Sequence, residues 1–164
     1  MGFCIGKMKI RKFQEKDIRQ VAKLKNEVYS QFNSKEYFEK KAANKYIEHT
    51  SLKKSDKELL EAFTGKRTTI FYVAEENNKI IGMIRGRPGR ISNLFVDGKQ
   101  HKKGIGRRLV LKFEKEAKKQ GSKEIKLRAS LYATPFYEKM NYRKTTGIRN
   151  FGGLKVYPMK RELK

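Results

Sequence analysis

The chain is short of three things. It has one cysteine, Cys4, in 164 residues. That excludes an internal disulfide framework and any multi-cysteine metal site. Its unbroken apolar runs reach only a few residues, too short for a helix that spans a membrane. It is also poor in acid. Asp and Glu number 17 against 41 Lys and Arg, a formal charge of +24. Such a surface repels polycationic ligands unless the site is locally acidic, and it admits nucleic acid, phosphorylated cofactors, acidic proteins and anionic membrane. The basic residues fall in short clusters such as Lys53–Lys54, Lys102–Lys103 and Arg107–Arg108, and none forms a basic tail. No zinc spacing, RNP-type aromatic motif or helix-turn-helix accompanies the charge.

What is present suffices for one folded domain. Apolar residues make up 37% of the chain, enough to build a covered sheet at this length. Residues 1–7 read as a flexible extension, and 8–164 as the domain. The apolar stretch before Lys7 is too short for a signal peptide. Gly6 stands where a myristoylation signal wants Ser or Thr.

Periodicity predicts the elements. Met8–Phe13 alternates like a strand. Asp17 is placed to cap a helix carrying Ile18, Val21, Leu24, Val28 and Phe32. A second helix is expected over 35–49. A third starts at a Ser55–Glu58 capping box and ends near Gly65. Strands are expected at 68–74, 79–85 and 90–96, joined by turns at Asn77–Asn78 and Pro88–Gly89. A long helix follows, from about Gly104 to Gln120, with Gly121 as its stop. Then come a strand at 124–129, a short helix capped by Thr134 with Pro135 in its first turn, and closing strands at 142–148 and 154–159. The order is that of a mixed α/β layer protein with one central sheet.

The segment before the long helix carries chemistry. Gly104 and Gly106 leave out Cβ atoms at a loop-to-helix turn. The first amides of a helix lack internal partners and hold the positive end of its dipole. The turn therefore suits a phosphate, with Lys102, Lys103, Arg107 and Arg108 around it. It is neither a Walker loop nor GxGxxG, since Leu109 stands at the third glycine position.

His101-Lys102-Lys103-Gly104-Ile105-Gly106 resembles the Q/R-x-x-G-x-G/A motif of the GCN5-related N-acetyltransferase (GNAT) superfamily. Ala133-Thr134-Pro135-Phe136-Tyr137-Glu138-Lys139-Met140-Asn141-Tyr142 is similar to the family's A-x-x-F-Y-E-K-x-G-F. The resemblance spans roughly residues 8–163. It implies a single domain with a mixed, mostly antiparallel sheet, splayed between strands 4 and 5, and helices on both faces. It implies acetyl-CoA as cosubstrate and direct acetyl transfer to an amine of a small molecule or peptide. Main chain at Leu94, Phe95 and Val96 then pairs with the pantetheine arm. Residues His101, Lys102, Lys103, Gly104, Ile105, Gly106 and Arg107 hold the pyrophosphate. Ser130 stands where many members have Asn, and Asn141 where they have Gly.

Tyr137 matches the general acid of many members. An amide of Leu94 or Phe95 is expected to stabilise the oxyanion. Strand 90–96 holds no carboxylate, so the base falls tentatively to Glu27 or a water chain. Tyr29, Phe32, Tyr37, Phe38 and Tyr46 lie in the helical region that should line the acceptor pocket, most of them as core packing. No metal is expected. The expected setting is cytoplasmic, as a monomer or homodimer without a membrane partner. Two alternatives stay open: a basic nucleic-acid- or ribosome-associated protein on the same fold, and a CoA-binding domain without catalysis.

Overall fold

The computed structural model describes residues 7–65 and 67–164. The expectation for residues 1–6 of the extension lies outside the described residues. Eight strands form one sheet in the order β1-β2-β3-β4-β5-β8-β6, with β7 also paired to β8. They are β1 (Lys9–Lys12), β2 (Ile70–Glu76), β3 (Lys79–Arg87), β4 (Arg90–Val96), β5 (Glu124–Ser130), β6 (Arg143–Lys144), β7 (Arg149–Phe151) and β8 (Leu154–Glu162). Only β4 and β5 are parallel neighbours. Helices α1 (Ile18–Phe32), α2 (Lys40–Glu48) and α3 (Asp56–Thr64) precede β2; α4 (Ile105–Lys119) and α5 (Thr134–Lys139) flank β5.

Alternation along the strands sends apolar side chains to both faces. On one face Tyr72, Ala74, Ile81 and Ile84 pack with Leu109, Val110 and Phe113 of α4. On the other, Val73, Ile80, Met83 and Phe95 pack with Val21, Leu24, Val28 and Tyr29 of α1. The sheet is thus covered on both sides, as the family resemblance implies. Gly82 sets how closely α4 sits. A Cβ there would lie 3.0 Å from Leu109 Cδ1 and 3.3 Å from Ile105 Cγ2.

Local signals held where the physics is local. Ser55 Oγ accepts from Glu58 N–H at 3.2 Å, and Glu58 Oε2 accepts from Ser55 N–H at 2.7 Å. Asn77 and Asn78 both adopt positive φ, 52° and 61°, as a tight hairpin turn requires.

Four expectations are corrected. Asp17 does not cap α1. Its carboxylate is buried and accepts from Arg11 at 2.8 and 2.9 Å and from Gln14 N–H at 2.9 Å. Burial pushes this carboxyl up, but those bonds outweigh it and leave it below the ordinary value. The single helix expected over 35–49 is a 3-10 turn (Ser34–Glu36), an extended Tyr37 and then α2. Tyr37 bridges Leu154 and Phe38 N–H donates to Gly153 O, so distant chain takes groups a helix would need.

Thr134 is not the cap of α5. Ala133 holds that position, and Thr134 Oγ1 donates to Ser130 O at 2.8 Å. The closing strands are not one pair. β8 pairs along β5 on one edge, and meets β7 and then β6 on the other. Pro158 O accepts from Thr145 N–H on that outer edge. The N–H that proline lacks is missing on the same side, between β7 and β6.

Candidate active site

β4 and β5 are joined at one place. Arg90 pairs with Lys126, and Lys126 N–H donates to Gly89 O at 2.9 Å. Beyond it the strands part. In β4 the register passes from Gly86↔Ile91 to Arg85↔Asn93, which leaves Ser92 as a bulge. Asp97 N–H donates to Ile81 O, and this bond sets the phase of the ladder. In an antiparallel pair alternate residues turn their peptide groups to the same side. Phe95 therefore directs its main chain at β3, and Leu94 and Val96 direct theirs into the parting. Of the three main-chain candidates, the geometry brings Leu94 and Val96 to the cleft and not Phe95, whose ring packs 6.4 Å from that of Tyr29.

The chain then turns into α4. Gly104 is the N-cap, with φ 80°, and no side chain caps the helix. The amides of Ile105, Gly106 and Arg107 have no carbonyl one turn earlier in the helix, so they remain receptive to an anion. A Cβ on Gly104 would meet nothing within 4 Å, so glycine is there for its backbone conformation. At Gly106 a Cβ would lie 3.3 Å from the Phe136 ring. The missing Cβ at Gly106 lets the Phe136 ring of α5 pack close to the start of α4.

His101 is not an idle loop residue. Its Nε2 lies 2.7 Å from Val96 O and its Nδ1 3.3 Å from the Tyr132 hydroxyl. The Phe32 ring sits 4.7 Å from both the His101 and the Tyr132 rings. Side chains from α1, the β4–α4 loop and the β5–α5 loop thus bridge the mouth of the parting. Glu36 adds a tether, both carboxylate oxygens accepting from Tyr132 N–H at 3.1 Å. Burial raises the Glu36 carboxyl above its ordinary value despite those bonds.

Tyr137 lies in the α4-side core and is 5% exposed. Burial lifts its phenol above the ordinary value, so it stays protonated through the neutral range. Its ring is edge-on to Phe136 and Tyr142, at 5.1 and 5.6 Å. Ser130 ends β5 and its Oγ accepts from Ala133 N–H at 3.2 Å, which starts α5. Asn141 has φ 68°, the left-handed conformation that a glycine would serve. Glu27 is on α1, with its side chain 65% exposed and 3.9 Å from Lys23 Nζ. It lines a groove of about 380 Å³ with Leu24, Gln31, Asp97 and Lys99. The structure does not bring Glu27 and Tyr137 to one core: α1 packs on the other face of the sheet.

Sequence reasoning missed a polar cluster on the α1 face. Lys25 is 2% exposed and donates to Tyr46 O at 2.8 Å and Thr50 Oγ1 at 2.6 Å. Its Nζ stands 3.8 Å over the Tyr46 ring. Burial, then the charge of Arg85, pulls its pKa down to about 7. Arg85, Asn93 and Tyr46 continue the cluster toward β4. One signal was available: Lys25 stands four residues after Val21 and three before Val28, on the apolar stripe of α1.

Among the described residues no three His, Cys, Asp or Glu side chains gather to hold a metal, and no helix is long and apolar enough to cross a membrane.

These features define a class of protein: an α/β domain whose sheet opens between two parallel strands onto an anion-receptive helix start. The family model described as "Acetyltransferase (GNAT) domain" matches residues 13–163. The chain belongs to the GNAT acetyltransferase family. It is 27% identical over 122 residues to N-acetyltransferase 8 of Homo sapiens, an alignment covering 66% of this chain. The chain spans about half, 53%, of that relative's length. Among solved structures, a GCN5-related N-acetyltransferase from Rhodopseudomonas palustris superposes with TM-score 0.79 at 18% identity, covering 99% of this chain and all of that one (100%). PaiA N-acetyltransferase from Thermoplasma acidophilum, solved with coenzyme A, gives 0.72 at 20% identity, covering 96% and 99%. These likenesses support the fold.

Proposed function

We propose that the domain transfers acetyl from acetyl-CoA to a primary amine of a small molecule or peptide. The observation that carries this reading is the parting of β4 from β5 next to the uncapped start of α4. A diphosphate suits the amides of Ile105 to Arg107, with Lys102, Lys103 and Arg107 supplying charge. His101, at the same loop, touches the carbonyl of Val96. The pantetheine arm pairs with the peptide groups of Leu94 and Val96 like an added strand. The N–H of Leu94 is then the donor for the oxyanion, and Ser130 supports the opposite strand end.

The amine must lose a proton before it attacks the thioester carbon. Glu27, across the sheet from Tyr137, is proposed to take it through water in the α1 groove. As the carbon–sulfur bond breaks, the thiolate takes a proton from the Tyr137 hydroxyl. A phenol held protonated by burial is suited to give that proton.

Tyr137→Phe tests the assignment. It should lower kcat by about 10²-fold or more, with acetyl-CoA affinity by calorimetry within about twofold of wild type in the same bookkeeping. Turnover is read as free CoA thiol across an amine library. An unaffected rate removes Tyr137 from the chemistry.

A further inference from the structure

Arg85 and Asn93 face each other across β3 and β4. They lie on the α1 face, in step with Met83 and Phe95. Arg85 Nε donates to Asn93 Oδ1 at 2.7 Å. Its Nη1 donates to Phe63 O at 2.8 Å and Thr68 Oγ1 at 3.0 Å. The Phe63 ring lies 5.3 Å from the guanidinium carbon. These contacts hold the guanidinium in one orientation and leave Nη2 without an acceptor among the described residues.

Tyr46 is the second partner. Its oxygen accepts from Asn93 Nδ2 at 3.2 Å, and its own proton has no acceptor among the described residues. Lys25 stands behind the Tyr46 ring, held only by a carbonyl and a hydroxyl. Among the described residues no carboxylate forms an ion pair with Arg85 or Lys25.

Taking a cation out of water costs free energy that a counter-charge normally offsets. Here a half-buried guanidinium has none. It sits beside Asn93, one residue from Leu94, where the proposed transfer occurs. Two donor groups remain, the N–H pair on Nη2 and the Tyr46 O–H, on side chains that Asn93 joins. Two such groups suit the two oxygens of a planar carboxylate.

We propose that Arg85 and Tyr46 bind a carboxylate carried by the acceptor, so that the amine acetylated belongs to an amino-acid-like molecule. The inference rests on the acetyltransferase reading above and names the substrate class of the same site. The net charge of the chain works in its favour, since it draws in an anionic acceptor.

The test compares matched acceptors: leucine, leucinamide and isopentylamine, then the same series for other side chains, with aminophosphonate analogues as a further arm. The carboxylate member should have the higher kcat/KM by a factor of about 10 to 100, mostly through KM, as expected for a charged hydrogen bond. Arg85→Gln should level the series while acetyl-CoA affinity is retained. Tyr46→Phe should erode the preference a few-fold, and it serves if Arg85→Gln does not fold.

Binding of N-acetyl-leucine against N-acetyl-leucinamide, by calorimetry with CoA present, reads the same preference without turnover. Equal use of acid and amide, or a preference that survives Arg85→Gln, overturns the inference. So does preference for the phosphonate. Failure of the wild type to bind acetyl-CoA would instead break the acetyltransferase reading, while the N-acetyl-leucine arm still decides the carboxylate site.

Discussion

The two faces of the sheet are built differently. The α4 face is nearly all apolar. Among the described residues its one buried acid is Glu114, held by Arg161 Nη1 at 2.9 Å to both oxygens. The α1 face carries Lys25 and Arg85, whose partners are carbonyls, hydroxyls and an amide. The buried acid of the α4 face has its counter-charge within the chain. On the α1 face Asp17 is likewise paired with Arg11, but Lys25 and Arg85 form no ion pair among the described residues, which fits a surface completed by a ligand. In the proposed reading the α4 face serves the constant cosubstrate and the α1 face one particular acceptor.

Three substitutions can break or sharpen that contrast. The largest effect is expected at Gly104. Gly104→Glu places a side chain at φ 80° and a negative charge at the positive end of α4. Left-handed strain costs about 1–2 kcal/mol of stability, and the carboxylate, itself favoured by the dipole by up to about 2 kcal/mol, competes with the diphosphate for the same helix end. Acetyl-CoA binding should weaken about 100-fold by calorimetry. Unchanged affinity would mean that the α4 face does not hold the cosubstrate.

The second probes the open balance at Lys25. Its folded pKa of about 7 lies below the ordinary value of 10.5. Between those values the unfolded chain binds more protons, so stability rises with pH through that window. Below it this group contributes a constant penalty. Lys25→Met removes both the cation and the slope. Relative to this variant, wild-type Tm should climb by several degrees between about pH 6 and about pH 9, at roughly 2–4 °C per kcal/mol. Parallel Tm curves would show that Lys25 is not a strained cation.

The smallest effect belongs to the bridge over the parting. His101 occupies the carbonyl of Val96 that the pantetheine arm is proposed to use. His101→Ala should free it and tighten acetyl-CoA binding about threefold, within the net value of one hydrogen bond. Weaker binding would show that His101 holds the cosubstrate directly.

Much of the α4 face was legible in the residues themselves. The Gly104 turn and the Gly121 stop at φ 90° are both decided within a few residues. The α1 face was less legible. Lys25 and Arg85 look like surface residues in a chain with 41 Lys and Arg. Only their neighbours 21 and 22 residues away in sequence reveal Lys25 as buried and Arg85 as half-buried. Asp17 misled for the same reason. Its best partner, Arg11, is on another element and outcompetes the local cap.

The amino-acid order alone settled most of the strands and helices, though not the break before α2 or the closing strands, and it settled which turn precedes α4, because short-range hydrogen bonding and apolar periodicity act over a few residues. Folding in three dimensions decided which peptide groups of β4 face the parting, that His101 covers one of them, and that two cations on the α1 face lack an acid. Those outcomes depend on ladder phase and on side chains far apart in the chain, and no local pattern encodes them.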